Sequence, residues 1–399
     1  MRLGYFGGTF DPVHLSHAAL IKLARSQLQL DQVMVMPAGN PYHKADTGIS
    51  CMTYRYRMCE LAFAGQADTQ ISQIELRRLK PSFTYETIAQ IKAGLAAEDQ
   101  IFLLCGSDIL KDLARWYDVA DLLKLVTLAV APRRGTDQNQ AELEAQRLQQ
   151  TLGLRYVFLN QALAEDASHD IRERIARHDD SAWASLNPEV AAFIQKHQLY
   201  QKEEILETVS QSVRVKLPEY EARLYNYIHV PRIIHSLDTM FYALQLASRF
   251  GVDPDQTAVA ALLHDFAKEQ TLQLMREWSV TIPAAMRQSE ATWHGPVAAQ
   301  LIGRLFDVHD QAIEQAICYH TVLRAEASPL DKIIYLADKL EPGRTYSDLA
   351  PLRQIAETDL DQAVAACLKA AAQHLQTSGQ VMNPLSQAAL RDIFVQPDD

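Results

Sequence analysis

Cysteine is scarce in this 399-residue chain, and no two cysteines stand in a CxxC pair. Cys51, Cys59, Cys105, Cys318 and Cys367 are scattered and odd in number, which excludes a disulfide framework or a thiolate zinc site and leaves buried apolar roles as the expectation. Long apolar runs are missing too. None approaches the roughly 18 residues that span a bilayer, and Met1-Arg2-Leu3-Gly4-Tyr5-Phe6 opens no long apolar segment, so the expected compartment is the cytoplasm and no membrane partner is expected. There is no basic excess. The formal charge is −11, of which residues 1–200 carry −2 and the remainder −9. Such a surplus of carboxylates repels a polyphosphate backbone, so no nucleic acid polymer is expected as a partner, while small nucleotides held by metal ions stay open.

What is present is the composition of an ordinary folded protein, 48% hydrophobic and 22% charged. A chain of this length exceeds the size at which one core stops growing, so two domains of roughly 200 residues are expected. In the first half, β-rich apolar runs (Leu3–Phe6, Gln32–Pro37, Ile101–Cys105, Val126–Ala131, Tyr156–Leu159) alternate with amphipathic stretches. That rhythm predicts an α/β Rossmann-like domain of βαβ units on a parallel sheet. Beyond Glu203 the β runs stop, and Thr239–Phe250, Thr257–Lys268 and Lys332–Leu340 repeat apolar residues at helical spacing. An all-α second domain follows, with the boundary at 202/203 after a final helix around Val190–Ile194. The Gln- and Glu-rich stretch between Arg134 and Gln150 reads as a solvated loop entering a helix.

Gly7-Gly8-Thr9-Phe10-Asp11-Pro12-Val13-His14 ends the first strand, and His17 follows inside the next helix. Two glycines at a strand-to-helix turn let phosphate approach the backbone. The helix start adds unpaired N–H groups and partial positive charge, with His14 and His17 on one side of its first turn. Singly these are ordinary features, a turn and two polar residues; together they describe a triphosphate cradle.

This stretch resembles the nucleotidyltransferase superfamily with its (H/T)xGH hallmark, Ser16 standing where the glycine would be. Over residues 1 to about 200 the resemblance narrows to the bacterial nicotinate-nucleotide adenylyltransferases (the NadD family). It is carried by Met36-Pro37-Ala38-Gly39-Asn40-Pro41-Tyr42-His43-Lys44, Tyr54-Arg55-Tyr56-Arg57-Met58, Glu75-Leu76-Arg77-Arg78, Pro81-Ser82-Phe83-Thr84-Tyr85, Gly106-Ser107-Asp108 and Trp116-Tyr117. The resemblance implies that the 5′-phosphate of nicotinate mononucleotide attacks the α-phosphorus of ATP, giving deamido-NAD and pyrophosphate. His14, His17 and Lys44 would supply the cationic environment and Mg²⁺ would sit on the phosphates. Asp108 would bind the nucleotide, while the backbone at Thr84 and the ring of Trp116 hold the pyridine. Gly7, Gly8, Thr9, Phe10, Asn40, Tyr85, Gly106, Arg134, Ser168 and Arg172 complete the implied binding set. One departure stands out: where the family has ISSTxxR, this chain reads Asp166-Ala167-Ser168-His169-Asp170-Ile171-Arg172, with His169 as the replacement donor for the missing threonine.

In the second half, His264-Asp265 follows the apolar run Ala260–Leu263, and Asp338 follows Ile333–Ala337. Ionisable groups so placed are costly to bury unless a metal or hydrogen bonds satisfy them. Helix-borne His and Asp facing one another in a bundle can hold two metals. The order His235, His264-Asp265, His294, His320, Asp338 resembles the HD-domain phosphohydrolases, and specifically the YqeK-type symmetrical dinucleoside-tetraphosphate hydrolases, over residues 205–395. By resemblance His235, His264, Asp265 and Asp338 bind one iron, and Asp265 bridges to a second held by His294 and His320. Lys268 and Arg344 would neutralise the polyphosphate. The implied substrate is diadenosine tetraphosphate, cut into two ADP. Mixed imidazole and carboxylate ligands suit several divalent ions, so spacing does not choose iron.

The reading is therefore a bifunctional enzyme, residues 1–202 adenylyltransferase-like and 203–399 an HD phosphohydrolase. Two rivals stay open. In one, the N-terminal domain is an inactive nucleotide-binding regulator; in the other, the HD domain is a sensor that binds without hydrolysis. A homo-oligomer is compatible with the sequence.

Overall fold

The computed structural model describes residues 1–39, 49–66, 68–132, 138–164, 167–344 and 349–394. They form two compact units, the first comprising Met1–Gln195 with Leu199–Gln201, and the second Lys196–Gln198 with Lys202–Asp399.

The first unit is built on six parallel strands: β1 (Arg2–Gly8), β2 (Gln32–Pro37), β3 (Thr69–Ile71), β4 (Gln100–Gly106), β5 (Val126–Ala131) and β6 (Tyr156–Phe158), in the order β3-β2-β1-β4-β5-β6. The helices between them are α1 (Leu15–Leu28), α2 (Met52–Ala62), α3 (Thr84–Ala93), α4 (Val119–Leu125) and α5 (Gln138–Leu152), followed by α6 (Ser168–Ala176) and α7 (Pro188–Lys196). Alternate strand residues explain one core face. Leu3 and Tyr5, Ile101, Leu103 and Cys105, and Val126, Leu128 and Val130 pack with Ile88 of α3, Leu122 of α4 and Leu148 of α5. The Gln-rich stretch is helix from Gln138 because Ala141, Ala145 and Leu148 recur at helical spacing and are buried.

This strand order reverses direction between β1 and β4, the topological switch point at which open α/β sheets bind ligands. The register pairs Gly8 of β1 with Pro37 of β2, and Tyr5 of β1 with Leu103 of β4. The Gly7-Gly8 turn and Gly106 thus emerge side by side at the carboxyl ends of neighbouring strands.

The second unit is helical throughout its described residues: α8 (Gln211–Arg214), α9 (Leu217–Leu224), α10 (Val230–Phe250), α11 (Pro254–Leu263), α12 (Thr271–Trp278), α13 (His294–Phe306), α14 (Gln311–Tyr319), α15 (Pro329–Leu340), α16 (Ala350–Ala356), α17 (Leu360–Thr377) and α18 (Pro384–Phe394). Helix α10 is buried on nearly every face and packs on α11 and α15, and the histidine and aspartate it buries, His235 and Asp238, are both paired. Gly251, at φ 68, closes it in the left-handed conformation, and Asp253 then caps α11 by accepting from the amides of Asp255 and Gln256. No helix among the described residues is long and apolar enough to cross a membrane. Of the cysteines, Cys59, Cys105 and Cys367 are buried, and Cys51 and Cys318 partly so.

Candidate active sites

In the first unit a cleft of about 490 Å³ opens at the switch point. Gly7, Gly8, Thr9, His14, Ser16, His17, Thr84, Gly106, Asp108 and Trp116 line it. His14 is the N-cap of α1 and His17 its third residue. Their rings stack with centroids 3.7 Å apart, and the His14 backbone N–H donates to His17 Nδ1 at 3.1 Å. An accepting Nδ1 places the proton of a neutral His17 on Nε2, which makes that nitrogen a hydrogen-bond donor. No acidic side chain lies in the first turn of α1. The positive end of the helix dipole is therefore not offset locally, which suits an anion.

Arg55 organises the backbone around this turn. It is 1% exposed, and its guanidinium donates to the carbonyls of Thr9 (2.9 Å), Ala38 (2.6 Å), Gly39 (2.8 Å) and Ser50 (2.9 Å). Gly39 is required there, since a Cβ would lie 2.2 Å from the carbonyl oxygen of Glu75. Glu75, buried, also lines the cleft; burial pushes its carboxyl up, against hydrogen bonds from Thr87 and the Gly39 amide. Phe83 and Tyr117 flank the cleft with ring centroids 4.5 Å apart.

Other expected residues sit elsewhere. Phe10, at φ 53 and 2% exposed, turns into the core and packs edge-on against Phe6 and His17, both at 5.1 Å. Its side chain supports the histidine from beneath and does not line the cleft. Tyr85 packs on the sheet core. Ser168 and Arg172 are likewise absent from the cleft lining: Ser168 donates to the Pro12 carbonyl at 3.0 Å and Arg172 to the Asp11 carbonyl at 2.6 Å. They brace the turn from behind. His169 pairs with Glu173 on its own helix at 2.9 Å, 69% exposed. Asn40, Lys44, Arg134 and Asp166 lie outside the described residues.

In the second unit the six expected ligands converge. Asp265 divides the histidines between its two oxygens. Oδ1 lies 3.1 Å from His294 Nε2 and 3.4 Å from His320 Nε2, while Oδ2 lies 3.7 Å from His264 Nε2 and 3.9 Å from His235 Nε2. Asp338 Oδ1 adds contacts of 3.0 Å to His235 Nε2 and 3.7 Å to His264 Nε2. Two sets, His235/His264/Asp338 and His264/Asp265/His320, have donor atoms mutually close enough to hold an ion.

Local folding explains the convergence. His264 and His320 are the C-terminal caps of α11 and α14, and each ring's Nδ1 is 2.7 Å from the carbonyl three residues back, at Ala261 and Ile317. That bond turns each Nε2 inward. Gly295 lets the start of α13 approach the end of α14; a Cβ there would be 2.6 Å from the Cys318 carbonyl oxygen and would drive His294 from His320, whose Nε2 atoms are 3.1 Å apart.

The donors fit divalent ions. His264 Nε2 is buried without a hydrogen-bond partner among the described residues, although it faces two carboxylates. Burial drives His320 down to about 4 and lowers His294 as well, so both are neutral ligands at pH 7. Burial opposes ionisation of Asp265, yet the neighbouring His264 and bonds to His294 and His320 hold its carboxyl well below the usual carboxylate range. His235 differs: burial disfavours its proton, but bonds to Asp338 and Glu341 outweigh this and raise it to about 9. A metal there would displace a proton.

Four cations surround the centre. Arg232 reaches Asp265 at 2.9 Å, Arg344 reaches Asp338 at 2.8 Å, Lys339 reaches Asp338 at 3.4 Å, and Lys268 Nζ is 3.2 Å from both ring nitrogens of His294. Sequence reasoning singled out Lys268 and Arg344 but missed Arg232 and Lys339. Their position, three residues before one ligand and one after another, was the available signal.

The parallel sheet with its switch-point cleft and the helical His/Asp centre define the class, a nucleotidyltransferase-fold unit joined to an HD domain. Family models agree: the cytidylyltransferase-like family matches residues 5–174 and the HD domain matches residues 232–343. A probable nicotinate-nucleotide adenylyltransferase of Dehalococcoides mccartyi is 32% identical over 207 residues, covering 51% of this chain and 98% of that protein. One of Albidiferax ferrireducens is 37% identical over 200 residues, covering 50% and 98%. Through its N-terminal half, the chain belongs to the nicotinate-nucleotide adenylyltransferase family. Among solved structures, one described as a predicted HD superfamily hydrolase involved in NAD metabolism, from Clostridium acetobutylicum, is 26% identical with a TM-score of 0.41, covering 45% of this chain and 95% of that one.

Proposed function

We propose that the chain is a cytoplasmic bifunctional nucleotide enzyme, with residues 1–202 catalysing adenylyl transfer and residues 203–399 metal-dependent phosphohydrolysis. In the first reaction a phosphate oxygen of nicotinate mononucleotide attacks the α-phosphorus of ATP, the bond to the β-phosphate oxygen breaks, and deamido-NAD and pyrophosphate result. The stacked pair His14 and His17 at the dipole end of α1 is the observation that carries this reading, together with relatives matched over nearly their whole length. His17 Nε2 donates to phosphate oxygens, α1 amides neutralise them, and Arg55 holds the turn in place. Mg²⁺ would accompany the triphosphate.

In the second reaction, the substrate is diadenosine tetraphosphate and the products are two ADP. The division of four histidines between the two oxygens of Asp265 carries this reading, since one carboxylate placed so can serve two ions. His235, His264, Asp265 and Asp338 would hold one divalent ion, iron in our reading, and Asp265, His294 and His320 the other. Such ions supply an acidified water and neutralise charge on phosphoryl oxygens. Arg232, Lys268, Lys339 and Arg344 bind the phosphates on either side of the scissile bond.

The test is the product profile, by chromatography, of full-length protein with Mg²⁺-ATP and nicotinate mononucleotide, with nicotinamide mononucleotide in parallel, and separately with diadenosine tetraphosphate. Deamido-NAD appearing with pyrophosphate, and ADP as the sole product of the tetraphosphate, are expected. A second reading, a nucleotide-binding N-terminal unit without catalysis, is favoured by Ser168 and Arg172 serving the turn's backbone and by His169 pairing with Glu173. ATP binding with no dinucleotide product would establish it.

A further inference from the structure

The two ion positions divided by Asp265 are not chemically equal. On the Oδ2 side stands Asp338, and behind His235 stands a second carboxylate that the ligand set does not include. Glu341, 3% exposed, lies 3.1 Å from His235 Nδ1 through Oε1 and accepts the Gly343 amide through Oε2. A Cβ at Gly343 would lie 2.8 Å from Glu341 Oε2 and 3.1 Å from Asp238 Oδ2, so a larger residue there would shift the Glu341 carboxylate. His264 and His320 turn their Nδ1 atoms to neutral backbone carbonyls; His235 alone of the three turns it to a carboxylate. A carboxylate on the far nitrogen fixes which nitrogen faces the ion and makes that nitrogen more basic.

On the Oδ1 side stand two imidazoles, His294 and His320, and Lys268 lies 3.2 Å from both nitrogens of His294. Arg344 and Lys339 at Asp338, and Arg232 at Asp265 Oδ2, face the first position, so cations oppose binding on both sides. They are matched there by Asp338 and Glu341, whereas Lys268 feels the shared Asp265 first and Asp338 second.

We propose that Glu341 is a positioning residue that makes the His235/His264/Asp338 position the tighter one, so that the two positions fill in order and the His294/His320 position fills second. This rests on the reading of the HD unit as a two-ion centre. Order of filling matters for function, because hydrolytic competence would then depend on the weaker position and follow ion availability.

The experiment titrates chelator-treated full-length protein with Co²⁺ alone, following visible absorption and bound metal. Wild type is expected to bind in two resolved steps at least about tenfold apart. Glu341→Gln, which keeps an acceptor but removes the charge, is expected to weaken the first step by about 10–100-fold and leave the second in place. Glu341→Asp should recover part of the loss. His294→Ala should abolish the weak step and spare the tight one, which tests the order even if Glu341→Gln fails to fold by circular dichroism. Two equal steps in wild type, an unshifted first step in folded Glu341→Gln, or loss of the tight step in His294→Ala would overturn the proposal. Binding of no cobalt by wild type would remove the two-ion reading itself.

Discussion

In the N-terminal unit the helix that meets the site, α1, directs its N-terminus at the Gly7-Gly8 turn, whereas in the C-terminal unit α11 and α14 end on the site with His264 and His320 as their caps. One site thus receives the positive end of a helix dipole, and the other two negative ends against one positive end, that of α13, which begins at His294. The first arrangement favours phosphate and the second favours a cation. The lesson is that the same backbone device serves opposite charges, and side chains follow suit: paired histidines beside one, histidines and carboxylates at the other. If this polarity is right, mutations should separate the two activities cleanly.

The largest effect is expected at Asp265, the carboxylate shared by both sets of histidines. Asp265→Asn should lower phosphohydrolysis by about 10³-fold or more, because the charge that holds the ions together is gone. Adenylyl transfer in the same preparation should be unchanged. A variant that kept hydrolysis would sink the shared-carboxylate geometry as the basis of catalysis.

Buried charge offers a second contrast. Arg55 in the first unit is satisfied by four carbonyl dipoles, while Asp238 in the second, 1% exposed, is satisfied by titratable side chains: His197 Nδ1 at 2.6 Å and Lys202 Nζ at 3.0 Å. Removing one member of a buried ion cluster leaves uncompensated charge, so Asp238→Ala should cost about 3–5 kcal/mol in denaturant unfolding of the second unit. Acid should expose the same difference. Burial alone would raise the Asp238 carboxyl, but bonds to His197 and Lys202 hold it below its ordinary value. A depressed carboxyl stabilises above its unfolded pKa, about 3.9, and that contribution disappears as pH falls through the folded value. The carbonyls around Arg55 do not titrate. Below about pH 4 the second unit should therefore lose stability faster than the first, and Asp238→Asn should flatten that loss; equal acid sensitivity of the two units would contradict the contrast.

His17 ranks third. Loss of a preorganised donor at a developing charge costs roughly 10²–10³ in kcat, so His17→Ala should reduce adenylyl transfer by that factor while leaving phosphohydrolysis intact. An effect confined to KM would place the side chain in ground-state binding instead.

These contrasts were unevenly legible in the sequence. Ligand residues stood out because ionisable pairs followed apolar helical runs, and five strands stood out as β-rich runs. Strand β3 did not, since Thr69–Ile71 is three residues long and lies nowhere in the fully buried core. The run Thr257–Lys268 reads as continuous helix, yet α11 stops at Leu263, and that stop is what frees His264 and Asp265 to turn inward. Nor could spacing pair His197 and Lys202 with Asp238, because that pairing is set by tertiary packing across 41 and 36 residues. It draws residues 196–198 and 202 into the second unit, in from a boundary read at 202/203. Glu341 was visible in Glu341-Pro342-Gly343-Arg344, but a carboxylate after a helix has many ordinary uses.

The smallest expected effect comes from a helix end that takes no part in chemistry. Helix α15, which carries Asp338, begins with a capping box: Ser328 accepts from the Asp331 amide at 3.2 Å and Asp331 accepts from the Ser328 amide at 3.0 Å. Helix α1 is closed by a capping box too, but one built from the imidazoles of His14 and His17, both of which line the cleft. Capping and ligand binding draw on the same amides, so the cap of α1 stands within the site, whereas the Ser328–Asp331 cap serves only the end of its helix. Ser328→Ala should thus cost about 0.5–2 kcal/mol in thermal or denaturant unfolding of the second unit and change neither activity by as much as twofold under native conditions. A larger fall in hydrolysis than in stability would mean that the cap sets the position of Asp338, three turns along the helix, and that α15 is less rigid than its buried face implies.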